Sequence, residues 1–306
     1  MTARQAHFLC LLVAAIWGLS FVGQEAAMVH LGPLGFNGVR FALGALIIMP
    51  FALRRGPDRM AGALLSGAIL GVVLWAGATL QQAGIVDDDT GAGDAGFITG
   101  MYVVLVPLLG LFLGRRTRGR VWLGALVAFV GLYLLSVEEG LTISWGDSLV
   151  LASAVCWALH ILLIDRFTSD QEPLQLAAIQ FVVCSLLSLA AVPMIGEELS
   201  AARIAAAWLP ILYCGAMATG VAFSLQVVAQ KVAHPATAGV LLSGEVVFAA
   251  LGGWVLLGER LGGRAWLGGL LMLAGMLLAQ KKSAGASASA SASASASASE
   301  PMVDRD

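Results

Sequence analysis

Apolar residues run along the chain in ten blocks separated by short polar breaks, near residues 8–29, 34–53, 61–84, 95–113, 121–137, 147–165, 174–194, 208–229, 236–257 and 264–280. A helix rises about 1.5 Å per residue, so about twenty residues cross the ~30 Å core of a bilayer. Each block is close to that length. Inside lipid every backbone N–H and C=O must be bonded within its own segment, which makes each block a helix rather than an isolated strand. The pattern therefore predicts an all-α integral membrane protein with ten transmembrane helices. The fourth block is the most uniform: Gly96 to Gly114 carries no charge and ends in the basic run Arg115 to Arg120. Pro107 lies inside it and is expected to kink it, because proline removes one backbone bond and crowds the preceding turn.

The blocks recur. A shift of 140 residues sets Trp17 on Trp157, Pro33 on Pro173, Phe41 on Phe181 and Arg40 on Gln180. A shift of 144 sets Gln82 on Gln226, Gly100 on Gly244, Gly124 on Gly268 and Gly131 on Gly275. The change of four is what one small loop insertion between the second and third helices of a half would produce. Two five-helix repeats follow, at residues 1–140 and 141–282. Five is odd, so the second repeat enters the membrane from the opposite side. An inverted-topology repeat of this kind predicts a central cavity between the halves, near mid-membrane.

Composition agrees with lipid as the solvent: 59% of residues are hydrophobic and 12% charged, against about 25% charged in soluble domains. The ten blocks leave no room for a soluble catalytic domain, and the net charge of −2 points to no nucleic-acid partner. With the N-terminus placed in the cytoplasm, the inner side receives Arg4, Arg54, Arg55, Arg59, Arg115, Arg116, Arg118, Arg120, Arg166, Lys231, Lys281 and Lys282, and the outer side only Arg203, Arg260 and Arg264. That asymmetry predicts cytoplasmic termini and an inner (plasma) membrane location. The outer side holds acidic residues instead, Asp87, Asp88, Asp89 and Asp94 among them. The first block is too long for a signal peptide and has no cleavage site after it. Cys10, Cys156, Cys184 and Cys214 lie in apolar blocks without metal spacing and read as small buried hydrophobes. Residues 283–306 begin as a Ser/Ala repeat that cannot bury a core and reads as a disordered tail. Nothing here fixes an oligomeric state or calls for a cofactor.

Four segments in order, WGLSFV, GFNGVRFALGAL, AGFITGMYVVLVPLLGLFLGRR and LLSGEVVFAALGGWVLLGERL, resemble the EamA-type drug/metabolite transporters. The likeness covers about residues 8–280. It implies ten helices, cytoplasmic termini and outward movement of small metabolites. Within the family the chain is similar to the YddG-type aromatic amino-acid exporter branch. The family's helix-nine motif usually reads Glu-Pro; here Glu245 is followed by Val246.

Ionisable groups inside the blocks are few: Glu25, Arg40, His160 and Glu245. A charge at mid-bilayer costs at least ~2.5 kcal/mol, so these residues should face the protein interior. Glu25 and Arg40 lie at similar depth and are expected to pair, either as a helix brace or at a substrate site. Glu245 is either a protonated acid bonded to a neighbouring helix or a polar group of a substrate or proton site. His160 reads first as a hydrogen-bonded packing residue. Trp17 and Trp157, matched by the repeat, either pack or form two walls around a substrate ring. Trp75, Thr79 and Gln82 share one helix face. With Asn37, Tyr102, Gln180, Tyr213 and Gln226 they complete the candidate set for binding a small molecule, and glutamines of this kind also tie helices together. Gly93, Gly96, Gly100 and Pro107 are the candidate bending points for a gate.

Two rival classes need weighing. Gly91 to Asp94 matches the GxGD tetrapeptide of intramembrane aspartyl proteases, but that chemistry needs a second aspartate at membrane depth, and Asp147 and Asp165 lie at block ends. Asp94 reads more simply as the N-cap of the fourth helix. No phosphate loop, zinc motif or nucleophile elbow is present. A non-transporting receptor would not need a polar cavity. The sequence thus predicts a carrier rather than an enzyme.

Overall fold

The computed structural model describes residues 1–86, 92–136, 144–252, 254–255 and 262–280. Asp87 to Asp89, Gly91, Arg260, Lys281, Lys282 and the 283–306 tail lie outside the described residues, so the expectations placed on them have no structural counterpart here. Everything described is helix, turn or connection, with no strand among the described residues. Among the described residues, eight helical stretches are long and apolar enough to cross a membrane, and a shorter apolar helix covers Gly119–Leu135.

The first half holds α1 (Ala3–Met28), α2 (Pro33–Leu53), α3 (Pro57–Ile85), α4 (Ala92–Gly100), α5 (Tyr102–Phe112) and α6 (Gly119–Ser136). The second holds α7 (Trp145–Thr168), α8 (Pro173–Ile195), the short α9 (Ala201–Ala206) and α10 (Trp208–Leu212), a π-helical stretch (Tyr213–Phe223), α11 (Ser224–Gln230), α12 (Pro235–Leu242), α13 (Glu245–Gly252) and α14 (Gly263–Gln280). Several starts follow from local chemistry. Thr2 and Gln5 form a reciprocal capping box at α1, and Ser144 with Asp147 does the same at α7. Prolines open α2, α3, α8 and α12 at positions where a missing N–H costs nothing.

Three expectations need correction. The fourth and ninth blocks are each two helices, not one. The first breaks at Met101 rather than at Pro107, which lies inside unbroken α5. The eighth block is not a regular α-helix: eleven residues, Tyr213–Phe223, have i→i+5 geometry. And α4 starts at Ala92, so Asp94 lies within its first turn rather than at its N-cap.

Packing is closest where glycines let backbones meet. On α6 and α14, a Cβ on Gly124 would lie 2.7 Å from the Gly275 carbonyl oxygen, and one on Gly131 would lie 2.6 Å from that of Gly268. The helices are antiparallel, and each glycine faces the repeat counterpart of the other. The α2–α8 pair is similar: a Cβ on Gly38 would strike Leu189, and Ser185 Oγ donates to the Gly38 carbonyl at 2.8 Å. Otherwise α1 packs on the π stretch, α11 and α13, while α3 packs on α7 and α8.

The four-residue change in the repeat shift falls at the α8–α9 connection. There Glu197 reaches across to α2, accepting from Leu34 N–H at 3.0 Å and Gly35 N–H at 2.7 Å. The N-cap of α2 is Gly32, which has no side chain to do this. A carboxylate on two free N–H groups at the positive end of a helix is a favourable pairing.

Candidate functional site

The site is assembled where the two broken helices meet. In the first, Gly100 closes α4 and Tyr102 opens α5; in the second, Ser243 and Gly244 separate α12 from α13. Gly100 and Gly244 are repeat counterparts. Around both breaks the backbone turns tighten: Met101 N–H bonds the Ile98 carbonyl at 3.1 Å, and Gly244 N–H bonds that of Leu241 at 3.2 Å. Ser243 Oγ also donates to the Val240 carbonyl at 2.9 Å, a local bond that competes with the helical ladder.

The breaks put Tyr102 and Glu245 first in their helices and facing each other. Tyr102 OH donates to Glu245 Oε1 at 2.9 Å, joining the two halves. Glu245 is held from behind by α1, where a Cβ on Gly18 would lie 2.4 Å from the Glu245 carbonyl oxygen. Glu245 has 5% of its surface exposed and has no basic partner within ion-pair distance among the described residues. Glu245 is thus bonded to a neighbouring helix and also opens onto a cavity.

That cavity, about 50 Å³, is lined by Trp17, Ser20, Phe21, Gln24, Arg40, Gln81, Thr99, Tyr102, Trp157, Ile161, Ala218, Phe223, Gln226 and Glu245. On the ~10–15 Å³ that one water requires, this is room for about four waters. A large rigid solute therefore needs movement to enter. The side chains come from α1, α2, α3, α4, α5, α7, the π stretch, α11 and α13, so both halves contribute.

Arg40 forms one end. Its expected partner, Glu25, points away and is exposed. Glu25 lies one residue, about 100° around the helix, from Gln24, which takes its place. Arg40 Nη1 donates to Gln24 Oε1 at 3.3 Å and Nε to Asn37 Oδ1 at 2.9 Å. Its guanidinium lies over the rings of Phe36 at 5.0 Å and Phe41 at 4.9 Å. Arg40 is 5% exposed and meets no carboxylate among the described residues. Buried cations normally have an acidic partner, so neutral amides and aromatic faces leave this charge open to an anion.

Trp17 and Trp157 both reach the cavity, but the space between them is filled. Phe223 lies 4.6 Å from Trp17 and 6.0 Å from Trp157, ring centre to ring centre, so the expected substrate sandwich is occupied by the protein's own ring. Each indole N–H is bonded, Trp17 to the Ala218 carbonyl at 3.0 Å and Trp157 to Gln81 Oε1 at 2.7 Å.

Of the residues singled out from sequence, Trp17, Arg40, Tyr102, Trp157, Gln226 and Glu245 come together at the cavity. The others lie elsewhere. Asn37 is fully buried behind Arg40. His160 is fully buried, bonded to Gln180 Oε1 at 2.8 Å and packed edge-on against Phe223. Tyr213 OH ties the π stretch to the Ile16 carbonyl at 3.1 Å. Gln82 is buried with both side-chain polar atoms unbonded, as are Trp75 Nε1 and Thr79 Oγ1 on the same face. Gly100 packs on Leu132 and Val246, and a Cβ on Gly96 would meet nothing within 4 Å. Gly93 lies in α4. Sequence reasoning missed Ser20, Gln24, Gln81 and Phe223. Trp17, Ser20 and Gln24 follow i, i+3, i+7 spacing on one face of α1, a signal that could have found them.

Apolar helices of membrane-crossing length around a buried polar cavity define a multi-pass membrane protein. The sequence profile described as the EamA-like transporter family matches residues 4–137 and 144–280, and the chain belongs to that family. A protein of Archaeoglobus fulgidus called an uncharacterized transporter is 33% identical over 270 residues, covering 87% of this chain and 83% of that one. The uncharacterized inner membrane transporter YedA of Escherichia coli K12 is 26% identical over 277 residues, 87% of this chain and 88% of YedA. The threonine/homoserine exporter RhtA of the same strain is 28% identical over 239 residues, covering 75% of this chain and 76% of RhtA. A crystal structure with 20% sequence identity superposes with a TM-score of 0.74 over 90% of this chain and 96% of that one, which establishes a shared fold. Family and relatives point to a transporter rather than an enzyme.

Proposed function

We propose that the protein exports small metabolites, amino acids including aromatic ones first among them and drugs besides, from the cytoplasm across the inner (plasma) membrane of a bacterium by alternating access. Ten helical passes, with α4–α5 and α12–α13 each forming one broken pass and α9 to α11 another, make two inverted halves at 1–140 and 141–282. Both termini are cytoplasmic. Support for the inversion comes from α6 resting on its own counterpart α14, and α2 on its counterpart α8, as a two-fold axis in the membrane plane requires. The family match in two segments agrees with it. The printed name of RhtA favours amino acids, and the positive-inside asymmetry favours the orientation.

The observation that carries the reading is the buried polar cavity built by both halves at two broken helices, a setting that suits a carrier's substrate site. Arg40, Tyr102, Trp17, Trp157, Gln226 and Glu245 would contact substrate. Asn37, Trp75, Thr79, Gln82, His160, Gln180 and Tyr213 would hold the surrounding helices in place. Gly93, Gly96, Gly100 and Pro107 would bend on opening. The test is flux in proteoliposomes containing the purified chain, with a panel of amino acids, nucleosides and cationic drugs. Gradient-dependent movement of amino acids is expected; no movement of any amino acid would overturn the assignment.

A further inference from the structure

The cavity holds a buried arginine and a buried glutamate that do not pair with each other. At one end Arg40 has only the neutral Gln24 and Asn37 and two aromatic faces. At the other, Glu245 has, among the described residues, only the Tyr102 hydroxyl. Both ends of the cavity are braced by α1. Gln24 contacts Arg40, and Gly18 supports the Glu245 backbone, six residues or about 9 Å back along the helix. Charge-assisted hydrogen bonds run at about 2.8 Å. One such bond at each end of an α-amino acid, with its own carboxylate and ammonium between them, adds up to about the same reach. A molecule with a single charge would complete one pair and leave the other side chain alone.

We propose that this cavity recognises zwitterions by their backbone: Arg40 takes the α-carboxylate and Glu245, oriented by Tyr102, takes the α-ammonium. This deepens the export reading above and rests on it. The substrate's side chain then lies over Trp17 and Phe223, where the remaining lining residues carry no charge. Selectivity is therefore loose toward the side chain and strict toward the paired charges, so one site accepts aliphatic and aromatic amino acids alike. A simple helix-bracing role is already met by the neutral partners each residue has, Gln24 and Asn37 for Arg40 and Tyr102 for Glu245, and predicts no preference for a ligand carrying both charges.

The test is competition against labelled threonine in proteoliposomes, using threonine, 1-amino-2-propanol, which lacks the carboxylate, and 3-hydroxybutanoate, which lacks the amine. In the parent protein threonine should compete at least tenfold better than either analogue. Arg40→Gln should weaken threonine at least tenfold and leave 1-amino-2-propanol unchanged, with Arg40→Lys recovering part of the loss. Glu245→Gln keeps an acceptor for Tyr102; it should weaken threonine at least tenfold and leave 3-hydroxybutanoate unchanged. Equal competition by all three compounds in the parent would overturn the proposal while leaving amino-acid export intact, and needs no variant to fold. Loss of every competitor in parallel in both variants would also overturn it. Absence of threonine uptake, with other amino acids moved, would be followed by the same triad built on phenylalanine: phenethylamine and 3-phenylpropanoate. No uptake of any amino acid would remove the export reading and this one together.

Discussion

Gly18 is where α1 positions the cavity's acid, and its replacement tests that claim. A Cβ there would lie 2.4 Å from the Glu245 carbonyl oxygen, 2.6 Å from Phe248 Cβ and 2.8 Å from the Ala249 nitrogen. Ordinary contact is about 3.4 Å, so α13 must retreat by about 1 Å, and its backbone cannot do so one atom at a time. A retreat of that size would stretch the 2.9 Å Tyr102–Glu245 bond toward 4 Å, beyond hydrogen-bond range. Overpacking costs about 1–3 kcal/mol, and alanine's better helix propensity returns up to about 1 kcal/mol. Gly18→Ala should therefore lose about 1 kcal/mol net, seen as a melting temperature lower by about 2 °C in detergent. Uptake should fall far more than stability, by about tenfold, because the acid is displaced. The control is Gly62→Ala on α3, where an added Cβ meets nothing within 4 Å, so it should gain about 0.5–1 kcal/mol and transport normally. If Gly18→Ala melts like Gly62→Ala and transports like the parent, α1 does not position Glu245 and the packing argument fails.

Three further outcomes are expected. Glu197→Ala removes both acceptors from the start of α2 and should cost about 1–2 kcal/mol, with Glu197→Gln losing about half as much; melting curves at low ionic strength check this, and no change in either variant would sink the capping role. The pH dependence of stability should involve His234, which lies between α11 and α12. Burial holds its pKa below the ordinary 6.5, Arg115 and Arg118 lower it further, and Asp165 and the Arg116 carbonyl act the other way. A lowered histidine pKa means the unfolded chain takes up the proton first, so stability is lost as pH falls below about 6.5. His234→Gln should lose less melting temperature than the parent between pH 7.5 and pH 5.5, chosen to bracket that value; parallel curves would exclude it. For topology, a reporter active only outside the cytoplasm should be silent when fused after Lys282 and active within Asp87 to Asp94, and the reverse pattern would invert the orientation.

The helices were legible because lipid imposes one rule on every span. The blocks opening at 34, 174 and 236 begin within one residue of the helix starts at Pro33, Pro173 and Pro235. What stayed hidden depended on contacts between blocks. Nothing local says that the fourth block breaks at Met101 rather than bending at Pro107; the break belongs to the meeting of Tyr102 with Glu245, 143 residues away. The π stretch is equally silent: it contains Gly215 and Gly220, but glycines recur throughout the blocks and do not by themselves mark an i→i+5 stretch. The Glu25–Arg40 pairing was read from depth alone, and depth does not distinguish Gln24 from Glu25. Rotation about the helix does, and it is fixed by which face α1 turns to α13. Trp17 and Trp157 both reach the cavity, but Phe223, whose repeat counterpart is Thr79, could not be expected between them.

The glycine contacts on α6 and α14 have a mechanical consequence. Two backbone-to-backbone contacts, seven residues apart on each helix, act as a key in a keyway. Sliding by one residue would drive a side chain of one helix into a carbonyl of the other, so the pair behaves as a fixed post. In the alternating-access cycle proposed above, the moving helices would rock about it. Spectroscopic labels on the outward faces of α6 and α14 should keep a constant separation through turnover, which makes this post the frame of reference from which every other helix's travel can be measured.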